Sequence, residues 1–171
     1  MPAMDKDSPI AAGTAESSAP DEAPLKLEEF LPYRLNVLAA VTSQALSRVY
    51  AERYGIGIPE WRVLVTLGHV GTMTGKAIGD HTHMHKTKVS RAVASLEKRR
   101  LLTRRANKAD MREAFLTLTS AGRAIYQDLA PVASAFAARL IEAIDPADRK
   151  AFDRAVTALT AQGKKLTAQD E

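Results

Sequence analysis

Cysteine is absent from the 171 residues, and aromatic side chains make up only 5% of them. Without a thiol, disulfides, thiolate metal sites and cysteine-based redox sensing are excluded. No apolar run approaches the ~18 residues that a membrane helix needs, and the first residues lack the apolar core of a secretory signal. We therefore expect a soluble, cytoplasmic protein with no membrane partner.

Patterns that accompany catalysis are also missing. The sequence contains no glycine-rich phosphate loop and no His-Glu-x-x-His helix, and no nucleophile is accompanied by a base and an orienting group. We therefore expect that the protein is not an enzyme and that it has no cofactor.

Positive charge, by contrast, is concentrated in one stretch. Residues 81–112 contain ten Lys and Arg side chains and two acidic ones, a net charge of +8, whereas the whole chain is +4. Such a concentration points to a polyanionic partner, and double-stranded DNA is the default candidate. The competing interpretation, a solvated helix face beside a polar loop, accounts for individual residues better than for the whole set.

Hydrophobic spacing predicts a mostly α-helical chain behind a disordered tail at residues 1–24, which is rich in Ala, Ser, Pro and acidic residues. The predicted helices run from Leu27 to the glycines at 55 and 57, from Pro59 onward, from the Thr74 cap to Asp80, from His85 to Arg100, from the Thr119 cap to Ile144 with a kink at Pro131, and from Asp145 to Gly163.

After Leu101 the period changes to two. Residues 102–105 and 114–118 alternate and flank a charged tip at 107–111, which predicts a β-hairpin. A short helix, a turn, a basic helix and a basic hairpin together form a winged helix-turn-helix. The predicted fold class is therefore mostly α with a small β-hairpin wing.

The helix that begins at His85 has the two faces that a groove-reading helix needs. Its apolar residues Val89, Ala92, Val93 and Leu96 recur at helical spacing, and polar groups cluster near its N-terminus, where free amides favour phosphate or base edges. The predicted DNA-contacting residues are His85, Lys86, Thr87, Lys88, Ser90 and Arg91 on the helix, and Arg105, Lys108 and Arg112 on the wing. Asp110 is predicted to brace Arg112 rather than to touch DNA.

Three segments of this chain resemble the multiple antibiotic resistance repressors, the MarR family. They are residues 58–64, residues 86–102, and Asp110-x-Arg112 followed by residues 116–123, within a resemblance that covers roughly residues 27–161. The resemblance implies a homodimer that reads an inverted-repeat operator. It divides the chain into a tail at 1–24, a dimerisation helix at 25–58, a winged helix-turn-helix at 59–119 and dimerisation helices at 120–171. His85 and Lys88 depart from the family pattern of an acidic residue and a small hydroxyl, which puts the usual base contacts in doubt.

The string HMHKTKV at residues 83–89 resembles a subgroup that controls the breakdown of hydroxycinnamic and related aromatic acids. That resemblance implies a ligand-responsive repressor released by a CoA thioester such as p-coumaroyl-CoA. An aromatic acyl group needs an apolar cleft with few polar groups, which we expect where the first, second and fifth helices meet. The predicted lining residues are Tyr33, Arg34, Asn36, Trp61 and His69; core packing is the alternative for Tyr33 and Trp61, and a surface ion pair for Arg34.

Three alternatives stay open. The chain could be a MarR-type regulator that responds to a free aromatic acid, or an architectural DNA-binding protein without a ligand cleft. It could also be a metal-dependent regulator using His81, His83 and His85, because imidazoles four residues apart on a helix can ligate zinc. No thiolate or second carboxylate cluster completes such a site in the sequence, so we expect no bound metal.

Overall fold

In a computed structural model of the chain, the structure describes residues 24–107 and 112–169. Within these ranges the elements are α1 (Leu31–Tyr54), α2 (Ile58–Val70), β1 (Met73–Thr74), α3 (Gly75–Thr82), α4 (Lys86–Lys98), β2 (Leu102–Ala106), β3 (Ala114–Leu118), α5 (Ser120–Ile141) and α6 (Arg149–Gln169). The predicted mostly helical, winged helix-turn-helix fold is confirmed. The tail predicted at residues 1–24 lies outside the described residues apart from its last position.

The chain divides into two units, residues 1–38 and 39–171. In the first unit, residues 27–29 form a turn and α1 begins at Leu31, so the helix starts four residues later than predicted. Pro32 lies in the first turn of α1, where a backbone donor is not needed. All described residues of this unit are exposed.

The core of the second unit joins the C-terminal half of α1 to the remaining elements. Leu64 and Leu67 of α2, Ile78 of α3 and Leu96 of α4 are fully buried. Tyr50 of α1 stacks on Trp61 of α2, with ring centroids 5.2 Å apart and planes 17° apart. Burying these large side chains is the main source of stability for the unit.

Helix caps fix two of the boundaries. The Thr74 hydroxyl accepts from the Ala77 amide at 3.2 Å, and the Thr119 hydroxyl accepts from the Gly122 amide at 3.1 Å. Both caps were predicted and are confirmed, and each satisfies an amide that the helix leaves unpaired, typically worth about 1 kcal/mol. α3 extends to Thr82, two residues beyond the predicted end at Asp80.

The three strands form one antiparallel sheet in the order β1-β3-β2. β2 and β3 pair from Leu102–Leu118 to Ala106–Ala114, which confirms the predicted hairpin. β1, which pairs Met73 with Leu116, was not predicted because two residues are too short to show a period. Most of the predicted hairpin tip, residues 108–111, lies outside the described residues.

The predicted bounds of three further helices are wrong. α4 ends at Lys98 instead of Arg100, because Arg100 takes a left-handed conformation with φ of 59°. α5 passes through Pro131 but ends at Ile141, three residues early. α6 begins at Arg149, after a turn at residues 146–148, and continues past Gly163 to Gln169. A glycine inside a helix costs only about 1 kcal/mol, so the good helix formers that follow Gly163 carry the helix onward.

Candidate nucleic-acid interface

The turn between α3 and α4 sets the direction in which α4 leaves the core. His83 ends α3 in a left-handed conformation, with φ of 51° and ψ of 34°. The amide of Met84 then donates to the Gly79 carbonyl at 3.1 Å, and the Met84 side chain is buried. This tight turn produces the helix-turn-helix geometry from a chain that contains no glycine at the reversal itself.

α4 presents one buried and one exposed face, as predicted. Val89, Ala92, Val93 and Leu96 are buried. The six α4-side residues predicted to contact DNA are all exposed: His85, Lys86, Thr87, Lys88, Ser90 and Arg91. Because these side chains are exposed, they are accessible to the major groove of DNA. Their contacts with DNA stay a prediction.

His85 also has a structural role that the sequence pattern did not reveal. Its Nδ1 atom accepts from the Thr87 amide at 3.3 Å, so the imidazole caps α4. Because Nδ1 acts as the acceptor, the proton of the neutral ring is assigned to Nε2. Nε2 is then the atom through which His85 can donate to a phosphate oxygen.

Two arginines of β2 are held by neighbouring side chains. Arg104 contacts the Glu97 carboxylate of α4 through two nitrogens, at 3.1 and 3.4 Å. The Arg105 guanidinium lies 5.8 Å from the centre of the Phe115 ring of β3, a cation–π contact. The first contact ties the wing to α4, and the second steadies a residue predicted to reach DNA.

A groove of about 1100 Å³ lies between α3, α4 and the wing. It brings together four of the predicted DNA-contacting residues: His85, Lys86, Ser90 and Arg112. Thr87, Lys88 and Arg91 lie elsewhere on the exposed surface of α4, and Lys108 and Asp110 lie outside the described residues. The bracing of Arg112 by Asp110 therefore stays a prediction.

The groove also contains residues that sequence reasoning missed. Lys76 and His83 contribute from the α3 side, and Arg104 from β2. Lys76 precedes the basic stretch at 81–112 and is an isolated cation in the sequence, so no charge pattern marks it. The lining also includes apolar side chains and two carboxylates, Asp80 and Glu113, which are outnumbered by Lys76, Lys86, Arg104 and Arg112. Such an arrangement favours a polyanion over a neutral ligand.

A model of the MarR family matches residues 54–113, from the last residue of α1 to the wing. A structure of a MarR/EmrR family regulator from Acinetobacter sp. ADP1 is 23% identical, covers 82% of this chain and 99% of that chain, and has a TM-score of 0.74. No curated protein sequence matches.

Two further structures show the same fold. A MarR family regulator from Listeria monocytogenes, solved with a 26mer DNA, is 17% identical, covers 78% of this chain and 89% of that chain, and has a TM-score of 0.71. Bordetella bronchiseptica BpsR, whose DNA binding is regulated by 6-hydroxynicotinic acid, is 19% identical, covers 81% of this chain and 99% of that chain, and has a TM-score of 0.70. Together these structures show that the chain has the winged-helix fold of MarR-family structures.

The residues predicted to contact a ligand fall in both units. Tyr33, Arg34 and Asn36 are exposed on α1 in the first unit, and His69 is exposed in the last turn of α2 in the second. Trp61 is buried and stacks on Tyr50, which agrees with the core-packing alternative for Trp61. Their contact with a ligand stays a prediction.

The histidines near the turn between α3 and α4 do not assemble a metal centre in the described ranges. His81 lies in α3, His83 ends that helix, and His85 caps α4. Among residues 24–107 and 112–169, no group of three His, Cys, Asp or Glu side chains could hold a metal ion. In the same ranges no helix is long and apolar enough to cross a membrane.

Proposed function

We propose that this MarR-type regulator is a cytoplasmic, homodimeric repressor that binds an inverted-repeat operator. An aromatic acyl-CoA thioester, such as p-coumaroyl-CoA, would release it and so control genes for aromatic-acid degradation. The observation that carries the DNA-binding part is the groove in which α4 and the wing present His85, Lys86 and Arg112 together.

Exposed apolar side chains on α6 support the homodimer. Phe152, Val156 and Leu159 are spaced as one face of a helix, and each is more than 40% exposed. A contiguous apolar face of this kind marks an interaction surface. A second copy of the chain is the proposed occupant, since dimers are typical of the MarR family.

DNA binding through the cationic residues of α4 and the wing should depend steeply on the salt concentration. A protein that makes ~6–10 phosphate contacts loses roughly 10³–10⁵ in affinity between about 50 and 200 mM salt. We expect a comparable loss in gel-shift titrations against a duplex selected by the wild-type protein from random sequence. A DNA affinity that does not change with salt concentration would contradict binding through these cationic residues.

The wing can be tested with Arg112→Ala, which should weaken binding to the selected duplex at least tenfold without unfolding the dimer. Arg112 is exposed and lines the same groove as Lys86, so its loss should act on DNA rather than on packing. Lys165→Ala, at an exposed cation of α6, is the matched control. Equal effects of the two variants would exclude a specific role for the wing.

The ligand proposal rests on the chemistry of the inducer. The residues proposed to contact its aromatic acyl group are Tyr33, Arg34, Asn36, Trp61 and His69. Its CoA phosphates would bind in the cationic groove between α3, α4 and the wing. Inducer and DNA would then oppose each other's binding, a negative linkage between two ligands. His69→Ala should raise the inducer concentration needed for half-release without changing affinity for DNA.

Three compounds separate the ligand alternatives in a gel-shift assay: p-coumaroyl-CoA, p-coumaric acid and CoA. We expect release by micromolar p-coumaroyl-CoA and poor release by the other two. Equal release by the free acid would favour the alternative of a regulator responding to a free aromatic acid, for which BpsR provides a precedent. No release by any of them would reject the aromatic-inducer proposal.

A further inference from the structure

Three consecutive cations lie at the C-terminal end of α4, and their contacts differ. Lys98, Arg99 and Arg100 are all exposed. In the described part of the chain, the side chains of Lys98 and Arg100 make no hydrogen bond or ion pair, whereas that of Arg99 makes two hydrogen bonds. A charge count treats the three residues alike, but their contacts assign Arg99 a different role.

Arg99 holds the end of α1. Its Nη2 donates to the Tyr54 carbonyl, and its Nη1 donates to the Gly55 carbonyl at 3.3 Å. The last carbonyls of a helix have no partner within the helix and carry partial negative charge. The Tyr54 carbonyl is one of these, and Gly55 immediately follows the helix. The planar, forked guanidinium can satisfy both carbonyls at once, which a lysine ammonium cannot do with the same geometry.

The same turn of α1 is bound to α5. The Tyr54 hydroxyl donates to the Asp128 carboxylate at 2.8 Å, and Arg53 reaches the same oxygen at 3.3 Å. The hydrogen bond to Asp128 raises the pKa of Tyr54. The C-terminal end of α1 therefore contacts two other helices. The side chains of Arg53 and Tyr54 bind α5, and the carbonyls of Tyr54 and Gly55 bind Arg99 at the C-terminal end of α4.

This connection complements apolar packing that already surrounds α4. Val89, Val93 and Leu96 press α4 onto the core, but apolar contacts are non-directional and leave small rotations of a helix inexpensive. Two directed hydrogen bonds at one end restrict such rotations. In a dimer, the two α4 helices must enter the major groove of DNA about one turn of the DNA helix apart. A small error in the orientation of α4 therefore affects the contacts with both half-sites.

We propose that Arg99 is a positioning residue for DNA recognition, which orients α4 by clasping the end of α1 instead of contacting phosphate. The inference rests on the proposed operator binding by α4. It assigns the neighbouring Lys98 no such role, which makes Lys98 the natural control.

Arg99→Lys and Arg99→Ala test the inference against two duplexes, the selected duplex and a scrambled duplex of equal length. Both variants should weaken binding to the selected duplex at least fivefold, because lysine keeps the charge but loses the fork. Binding to the scrambled duplex should change less than twofold, and the salt slope should match that of the wild type. Lys98→Ala should leave the ratio of the two affinities unchanged.

Several outcomes would overturn the inference. Wild-type affinity in Arg99→Lys would show that charge alone is needed. A salt slope reduced by about 2 in the dimer, roughly one phosphate per protomer, would show a direct DNA contact. If both variants keep the wild-type ratio of affinity for the selected duplex to affinity for the scrambled duplex, Arg99 has only a local structural role. If wild-type protein binds neither duplex, operator binding fails first, and that result is distinct from these three.

Far-ultraviolet circular dichroism confirms that each variant is folded, and Arg99→Lys is the milder change should Arg99→Ala unfold.

Discussion

Gly122 provides the sharpest test of the packing that supports the wing. A Cβ atom built on Gly122 would lie 2.0 Å from the Leu101 carbonyl oxygen and 3.0 Å from the carbonyl carbon. Both atoms belong to the backbone, so no side chain can rotate away to make room. Gly122→Ala must therefore displace either the first turn of α5 or the residue that precedes β2.

The cost can be worked out from the contacts at that position. Overpacking of a close-packed interior costs typically about 1–3 kcal/mol. The Leu101 carbonyl also accepts from the Thr119 amide at 3.0 Å, and weakening this hydrogen bond adds about 1 kcal/mol. We expect a loss of roughly 2–4 kcal/mol in the free energy of unfolding, a large share of the ~5–15 kcal/mol that stabilises a typical domain.

Urea unfolding followed by the fluorescence of Trp61, the single tryptophan, measures this loss at a fixed protein concentration. Gly75→Ala is the matched control, because nothing lies within 4 Å of a Cβ atom at Gly75 in the first turn of α3. Its effect should be within about 0.5 kcal/mol of zero, or slightly stabilising, since alanine favours helix. If Gly122→Ala is as mild as Gly75→Ala, the close approach between α5 and the Leu101 carbonyl is not present in the protein.

Two further predictions concern exposed polar contacts. Glu97 and Arg104 are both more than 40% exposed, so a double-mutant cycle with alanine should give a coupling of only about 0.2–1 kcal/mol; a coupling above about 2 kcal/mol would contradict a solvent-screened pair. Because the Asp128 hydrogen bond raises the pKa of Tyr54 above the ordinary tyrosine value of 10.0, the neutral phenol stabilises the folded state below pH 10, and that stabilisation is lost as the pH rises through the folded pKa. The stability difference between wild type and Tyr54→Phe, measured by urea unfolding, should therefore be largest at neutral pH and shrink in alkali; a constant difference would count against the Tyr54–Asp128 hydrogen bond.

Local patterns were enough to predict most elements of the fold. The 3–4 spacing of Val89, Val93 and Leu96 correctly predicted the buried face of α4, and Thr74 and Thr119 correctly predicted two caps. Each of these inferences uses residues within one or two helical turns, where spacing and side-chain chemistry suffice. Helix ends were less predictable, because a stop such as the left-handed Arg100 depends on how the next strand packs.

Contacts between distant parts of the chain could not be predicted from the same patterns. Tyr54 and Asp128 are 74 residues apart, and Arg99 is 45 residues from Tyr54. No periodicity within α1, α4 or α5 marks these residues as partners. Four lining residues of the groove, His85, Lys86, Ser90 and Arg112, were predicted as DNA contacts, but the groove itself was not, and Lys76 enters it only through the way α3 packs beside α4.

These tertiary contacts change how the basic stretch should be counted. Of its ten cations, Arg99 bonds to backbone carbonyls and Arg104 pairs with Glu97, so at most eight per protomer remain for phosphate. A dimer that used all ten per protomer would have a salt slope near −18 by the usual ~0.9 per phosphate, whereas eight would limit the slope to about −14. The share of the measured slope that comes from this stretch should fall below that limit in magnitude, because an exposed cation contacts a phosphate only where the docked geometry brings one near. Net charge thus predicts the class of partner, while the internal contacts of Arg99 and Arg104 limit how much of that charge a partner can use.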